Sequence, residues 1–501
     1  MNSARVLKPF TPSTFPKIGA FLIAGFLIAA MSIPFIYWLE LHNPSYLQTW
    51  QSSWPDPVAI AMIIGTSILL LAFVIVWIWR ARVIDIISLT LVWEVLVAVG
   101  YFWLDQTASR VQDMSEAILR ASTLVIFVNS LGLLILLVTM CASYFFCSWT
   151  NWRLSKPPRP EAELDARLAS FFRWTSPLVA LAMAAPMLAT GVIPAFAENV
   201  REARMIALSS SLARPFFNAA VSLMPFYVSV FACLILRSYK RLFSLDLFLL
   251  IVLVAILLLT GIRYPLATAM LVGFTLITMQ RRFAPHVLYG VLLLYIFVFT
   301  FLTGWTSLMR DGDASWRSPQ VIQESFNEAF TGDNIIDLRD GSWVMSKWDF
   351  HPLMGKTYLG GFFSMVPSGI FPQKKDWHLG LTCIRIIGWD PTQHFGLRTS
   401  FFGEAFLNFG LAGVFALALF LGATYGILLR QIFLTTQNPS IWRAVILVIF
   451  IQMLAPFSNT SDAFTSWAMI GLFLLIRFFV EARWQLPKRT LVSFRPVFGI
   501  K

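Results

Sequence analysis

Apolar stretches long enough to cross a bilayer recur along the whole chain, and no other feature narrows its fold as much. A hydrocarbon core about 30 Å thick takes roughly 20 helical residues. Twelve such stretches can be read, at roughly 18–40, 57–79, 83–104, 121–147, 175–196, 215–236, 244–260, 264–279, 285–303, 403–429, 440–457 and 463–480. Backbone groups in lipid must be satisfied internally, which leaves helices or closed barrels. Unbroken apolar runs without strand-like alternation select helices. The expected fold is therefore all-α: a polytopic bundle of about twelve transmembrane helices. The first span is too long for a cleaved signal peptide and lacks a small-x-small site, so it is expected to stay.

Composition agrees with this class. Hydrophobic residues make up 57% of the chain and charged ones 13%, with a mean hydropathy of +0.71. A soluble chain of this length would carry far more charge. The formal charge of +12 belongs to membrane orientation, and no nucleic-acid partner is implied. With the N-terminus inside, the inner segments hold 23 of the 38 Lys and Arg and the short outer loops 6; the remaining 9 lie in one long loop. Both termini are then cytoplasmic, and the long loop faces the periplasm. Three regions follow: a transmembrane bundle over 1–303, a large periplasmic loop over 304–402, and C-terminal helices with a cytoplasmic tail over 403–501. Cys141, Cys147 and Cys233 fall in spans and Cys383 stands alone in the loop, so neither a disulfide framework nor a metal site is expected.

The long loop is rich in aromatic residues and reads as folded. Ser318 and Pro319 open an amphipathic helix over 318–330. Gly and Pro punctuate HPLMGKTYLGGFFSMVPSGIFPQKKDW (351–377) into short broken helices. Past the loop, GLRTSFFGEAFLNFGLAGVF (396–415) steps from polar residues into a long apolar helix, with Ser400 as its N-cap and Glu404 just inside. Gly403, Gly410 and Gly413 read as close-packing positions between helices.

Two of these stretches carry a resemblance. Gly355, Thr357 and Tyr358 match a Gly-x-Thr-Tyr element, while Val366, Pro367, Phe371, Pro372 and Lys374 match part of an Ile-Pro-Arg to Trp-Pro-x-Lys-Pro element. Gly403, Glu404, Phe406, Asn408, Phe409 and Gly410 match Gly-Glu-x-(Tyr/Phe)-x-Asn-Phe-Gly. Residues 350–415 thus resemble the C-terminal half of Wzy-type O-antigen polymerases, the oligosaccharide repeat-unit polymerases. Ser368 stands where that family usually has arginine, and Lys375 replaces the closing proline.

The resemblance implies a membrane glycosyltransferase of the bacterial inner membrane that works at the periplasmic face without a metal or other cofactor. A glycan on undecaprenyl diphosphate would be the donor, and the terminal sugar of an incoming lipid-linked repeat unit the acceptor. A polysaccharide chain-length regulator is the candidate protein partner. The departing lipid diphosphate calls for fixed positive charge, which arginine supplies best through its bidentate fork. Arg263, in the tight GIRYP turn between two short spans, is the first candidate. Arg398, beside the helix start at Ser400, is the second. Arg310 and Arg385 follow. Deprotonating the sugar hydroxyl needs a base, and Glu404 fits, with Asn408 on the same helical face to orient it or to bind sugar. His394 is an alternative base, and Lys374 and Tyr358 complete the expected substrate contacts. Trp343, Trp348, Tyr358 and Trp377 are read either as sugar platforms or as interface anchors.

Two rival functions have residues in their favour. An O-antigen ligase is supported by the loop histidine His394. A lipid-linked oligosaccharide flippase or proton-coupled exporter is supported by Glu94, a carboxylate in the middle of the third span whose structural alternative is a bond to Asn129 or Ser130.

Overall fold

The computed structural model describes residues 57–100, 116–149, 161–194, 203, 206–207, 213–237, 244–260, 264–311, 336–366, 369–390, 397, 399–458, 460 and 463–481. All regular structure among the described residues is helical. The bundle comprises α1 (Pro57–Ala81), α2 (Ile86–Gly100), α3 (Glu116–Trp149), α4 (Glu161–Thr190), α5 (Ala213–Arg237), α6 (Leu245–Leu259), α7 (Tyr264–Gln280) and α8 (Pro285–Asp311). The loop adds α9 (Ile336–Lys347), α10 (Lys356–Phe362) and α11 (Leu379–Ile387). The chain then returns through α12 (Phe401–Gln437), α13 (Ile441–Met453), the single turn α14 (Ala455–Ser458) and α15 (Ala463–Glu481).

Eleven of the twelve expected spans coincide with helices; 18–40 lies outside the described residues. Six helices are long and apolar enough to cross a membrane: α1, α3, α4, α5, α12 and α15. The apolar parts of α2, α6, α7, α8 and α13 are shorter, between 10 and 17 residues. The protein is thus membrane-embedded and helical, with six full-length spans among the described residues. Its outer surface fits this reading, because large apolar side chains such as Ile68, Phe248, Leu293 and Phe478 stand exposed on the bundle.

α3 is the axis of one half of the bundle, with most of its apolar length buried. α12 runs parallel to it, held close by two glycines. A Cβ at Gly422 would stand 2.6 Å from the Leu136 carbonyl, and one at Gly426 would strike the Met140 carbonyl. Small residues let helix backbones approach where apolar burial alone gives no preference. α5 plays the same role in the other half, packing on α4, α6, α7 and α15. Charged pairs staple these helices at the end away from the loop. Arg173 grips Asp246 through two bonds of 2.6 and 2.8 Å, and Arg237 pairs with Asp165 at 3.0 Å. Asp165 also accepts from the Trp442 N–H at 2.8 Å, which ties the start of α13 to α4. Asp85 joins α1 to α2, accepting from the Trp77 indole at 2.6 Å and from the backbone N–H of Ser88 at 3.0 Å.

The loop is folded, as its composition suggests, although the expected helix at 318–330 lies outside the described residues. α9 lies along α3, where Gly341 meets the Val125 side chain. Trp343 and Trp348 are buried, Trp343 edge-on to Trp389 and Trp348 edge-on to Phe406. These two tryptophans are the core of the loop, a use distinct from both roles expected of them.

Candidate functional site

α12 is a broken helix, and the break organises everything around it. Ser400 caps its first turn, accepting from the Gly403 N–H at 3.0 Å while donating to the Asn129 side chain. Phe402 lies against Gly132, close to the midpoint of α3. The loop chain therefore descends well into the bundle before α12 begins. Helical geometry then fails at Phe409 and Gly410. Gly410 has φ +63° and ψ −156°, a conformation open essentially to glycine alone.

A break leaves carbonyls without their partners four residues on. Here the loop supplies donors: Leu353 N–H bonds the Leu407 carbonyl at 2.9 Å and Met354 N–H bonds the Asn408 carbonyl at 3.0 Å. The chain then turns at Gly355, with φ +79°, where a Cβ would stand 2.9 Å from the Phe409 ring. α10 follows at once. The expectation that Gly403, Gly410 and Gly413 pack between helices is corrected. Gly410 permits the break and has open space around it. Gly413 abuts the Ala405 carbonyl of its own helix across that break, and Gly403 abuts the cap residues Thr399 and Ser400. The interhelical glycines are Gly422 and Gly426.

A buried polar network closes this junction. Thr357, Glu404 and Asn408 are all almost wholly inaccessible. The Asn408 amide nitrogen donates to the Thr357 hydroxyl at 2.7 Å and to the Glu404 carbonyl at 2.9 Å. Because an amide N–H₂ can only donate, the Thr357 proton must point onward, and it does so to Glu404 Oε1 at 2.6 Å. The second carboxylate oxygen accepts from the Thr460 N–H at 3.4 Å. Asn408 thus orients Glu404 through Thr357 rather than directly. Its own amide oxygen is buried and accepts from no described residue. A Cβ on Gly361 would stand 2.9 Å from Thr460, so the third segment is held as tightly as the other two.

Tyr358 stacks on Phe409 with centroids 6.5 Å apart. Burial, and then the nearby Glu404 carboxylate, hold its phenol well above its usual pKa, so it stays neutral. Lys374 bonds the Ser364 carbonyl at 2.9 Å and also the Val366 carbonyl, securing the turn after α10. Arg385 is at the exposed end of α11 and pairs with Asp376 at 2.5 Å. Arg310 lies in α8. Arg263, His394 and Arg398 lie outside the described residues.

The structure therefore brings together Glu404, Asn408 and Tyr358, and sets Lys374 and Arg385 to holding the loop. Sequence reasoning missed Thr460. The PFSNTSDAF turn is visible in the sequence, but a backbone N–H contact leaves no residue signature. It missed Thr399 as well, whose hydroxyl is buried beside the helix cap and has no hydrogen-bond partner among the described residues. Comparison with protein-family models, with curated proteins and with solved structures gives no match.

Proposed function

We propose that the chain polymerises lipid-linked oligosaccharide repeat units at the periplasmic face of the bacterial inner membrane, with both termini cytoplasmic. The observation that carries this reading is the single Thr357 hydroxyl that joins Glu404 to Asn408. Thr357 belongs to GKTYLGG and the other two to GEAFLNFG, the two stretches on which the resemblance to repeat-unit polymerases rests. Segments separated by 47 and 51 residues share one buried unit, which supports reading them as parts of one site.

The reaction is an inverting displacement. The acceptor hydroxyl oxygen bonds to the anomeric carbon of the donor glycan as the bond to phosphate breaks, and undecaprenyl diphosphate leaves with the electron pair. The hydroxyl proton passes to a base. Arg263 and Arg398 are proposed to stabilise the departing diphosphate, the place where preorganised charge contributes most. Glu404 is proposed as the base. It reaches a sugar hydroxyl when that hydroxyl replaces Thr357 on Oε1, so the clasp and the catalytic contact are alternatives. A polysaccharide chain-length regulator is the proposed protein partner.

A strain lacking the chain tests this reading through its glycan ladder. The polymerase reading expects single repeat units on the lipid core. Polymer stranded on its carrier would instead mark a ligase, and lipid-linked units retained inside would mark a flippase or proton-coupled exporter. This last reading has Glu94 in its favour, since the carboxylate lines a cavity within the bundle. In complemented strains, Arg263→Ala and Glu404→Ala are each expected to abolish polymerisation while the protein still inserts. Wild-type ladders from Glu404→Gln would remove its role as base.

A further inference from the structure

α10 buries one side and exposes the other. Thr357, Gly360 and Gly361 face inward, Thr357 onto Glu404 and the two glycines against Trp377 and Thr460. The opposite side carries Lys356, Leu359 and Phe362, three residues apart. The 3-10 turn that continues the helix (Phe363–Met365) adds Met365 at the same spacing. Leu359, Phe362 and Met365 are 44%, 57% and 48% exposed. The rest of the described loop folds onto other sides, with Phe371 against Phe363 and Lys374 on the Ser364 and Val366 carbonyls. A contiguous apolar strip left open in this way marks a contact surface.

The strip runs into surface that faces lipid. α15 is long and apolar enough to cross the membrane, and its exposed Leu474 and Phe478 share a helical face with Trp467. Trp467 meets the Phe362 ring edge-on at 5.2 Å, and its indole N–H donates to the Phe362 carbonyl at 3.1 Å. It stands near the loop end of α15, where tryptophan is favoured at the membrane surface. Charge agrees, because residues 354–375 hold three Lys and no Asp or Glu, a balance suited to anionic headgroups.

We propose that this strip is seated in the lipid leaflet on the loop side of the bundle. Leu359, Phe362 and Met365 lie among the upper acyl chains, about 5–10 Å below the headgroup boundary, and Lys356 extends to the lipid phosphates. Continuity with the lipid-facing side of α15 selects the bilayer over a second copy or a soluble partner. The inference stands without the polymerase reading and gives that reading a depth. Thr357 follows Lys356 directly, so the Glu404 clasp is held near the headgroups, the level at which a lipid diphosphate resides.

The test places nitroxide labels on single-cysteine variants of the full-length chain in nanodiscs of phosphatidylethanolamine and phosphatidylglycerol. The unsubstituted chain, whose four cysteines are buried, supplies the blank. Labels at Leu359→Cys, Phe362→Cys and Met365→Cys are expected to collide with oxygen more, and with a water-soluble nickel chelate about threefold less, than a label at exposed His351→Cys. Leu359→Cys and Met365→Cys keep the result decisive if loss of the Phe362–Trp467 contact disturbs folding. Nickel access at the strip equal to that at His351→Cys overturns the proposal. So does shielding from both oxygen and nickel, which marks a protein partner; spin–spin broadening would identify it as a second copy. A normal glycan ladder in the strain lacking the chain removes the polymerase reading and leaves this measurement unaffected.

Discussion

Thr357 is the smallest unit on which the site depends. Its hydroxyl is the only described link between the Asn408 amide and the Glu404 carboxylate. Thr357→Val keeps the shape, breaks both bonds and leaves a buried carboxylate oxygen unpaired. The expected cost is about 1–3 kcal/mol, read as a lowered Tm of the detergent-purified protein, with Thr357→Ser close to wild type. Cys383 gives a second residue-scale expectation. It is fully buried within α11, and burial, followed by the Glu404 and Asp340 carboxylates, pushes its thiol well above the usual range. A thiol so raised stays protonated where a free one ionises. Maleimide modification of Cys383, mapped by mass spectrometry, is therefore expected to stay low from pH 7 to pH 9 and to appear only on denaturation. Glu404 and Asn408 were legible in the sequence because a carboxylate and an amide four residues apart share a helical face. Thr460 and Thr399 were not, because one bonds Glu404 through its backbone N–H and the other is marked only by burial without a hydrogen-bond partner among the described residues.

At the scale of elements, the broken α12 decides how the loop meets the bundle. The Leu407 and Asn408 carbonyls are free to accept from Leu353 and Met354 only because the helix stops at Phe409. Gly410→Ala meets no neighbouring atom, so any loss is due to backbone strain alone. The expected cost is about 1–3 kcal/mol, with a lowered Tm and a loop more open to limited proteolysis. Gly290→Ala, equally uncrowded but in the regular helix α8, is expected to be neutral or slightly stabilising in the same assays. The span positions were legible, since long apolar runs leave a membrane helix little choice. The break was not: FLNFGLAG reads as continuous helix, and only the φ of Gly410 distinguishes a hinge glycine from a packing one. Gly422 and Gly426, the glycines that do pack between helices, stood out no more than the others.

For the whole molecule, the distribution of basic residues predicts an orientation, with the loop outside and the stapled end inside, that labelling can check. Ile370 is exposed in the loop and Glu163 is exposed near the stapled end. A membrane-impermeant thiol reagent added to spheroplasts is expected to label Ile370→Cys at once, and Glu163→Cys only after permeabilisation; the reverse pattern would invert the topology. All-helical architecture, a folded loop and the neighbourhood of Glu404 could each be read from sequence, because apolar length, aromatic content and a short motif encode them locally. Which segments touch across the bundle could not, because those contacts depend on packing between distant parts of the chain. The central claim is chemical, and reconstitution tests it most directly. Purified protein in liposomes, supplied only with lipid-linked repeat units, is predicted to form products of two or more repeats and to release one undecaprenyl diphosphate per new linkage. Repeat units that stay single, or that cross the membrane without a new glycosidic bond, would contradict it.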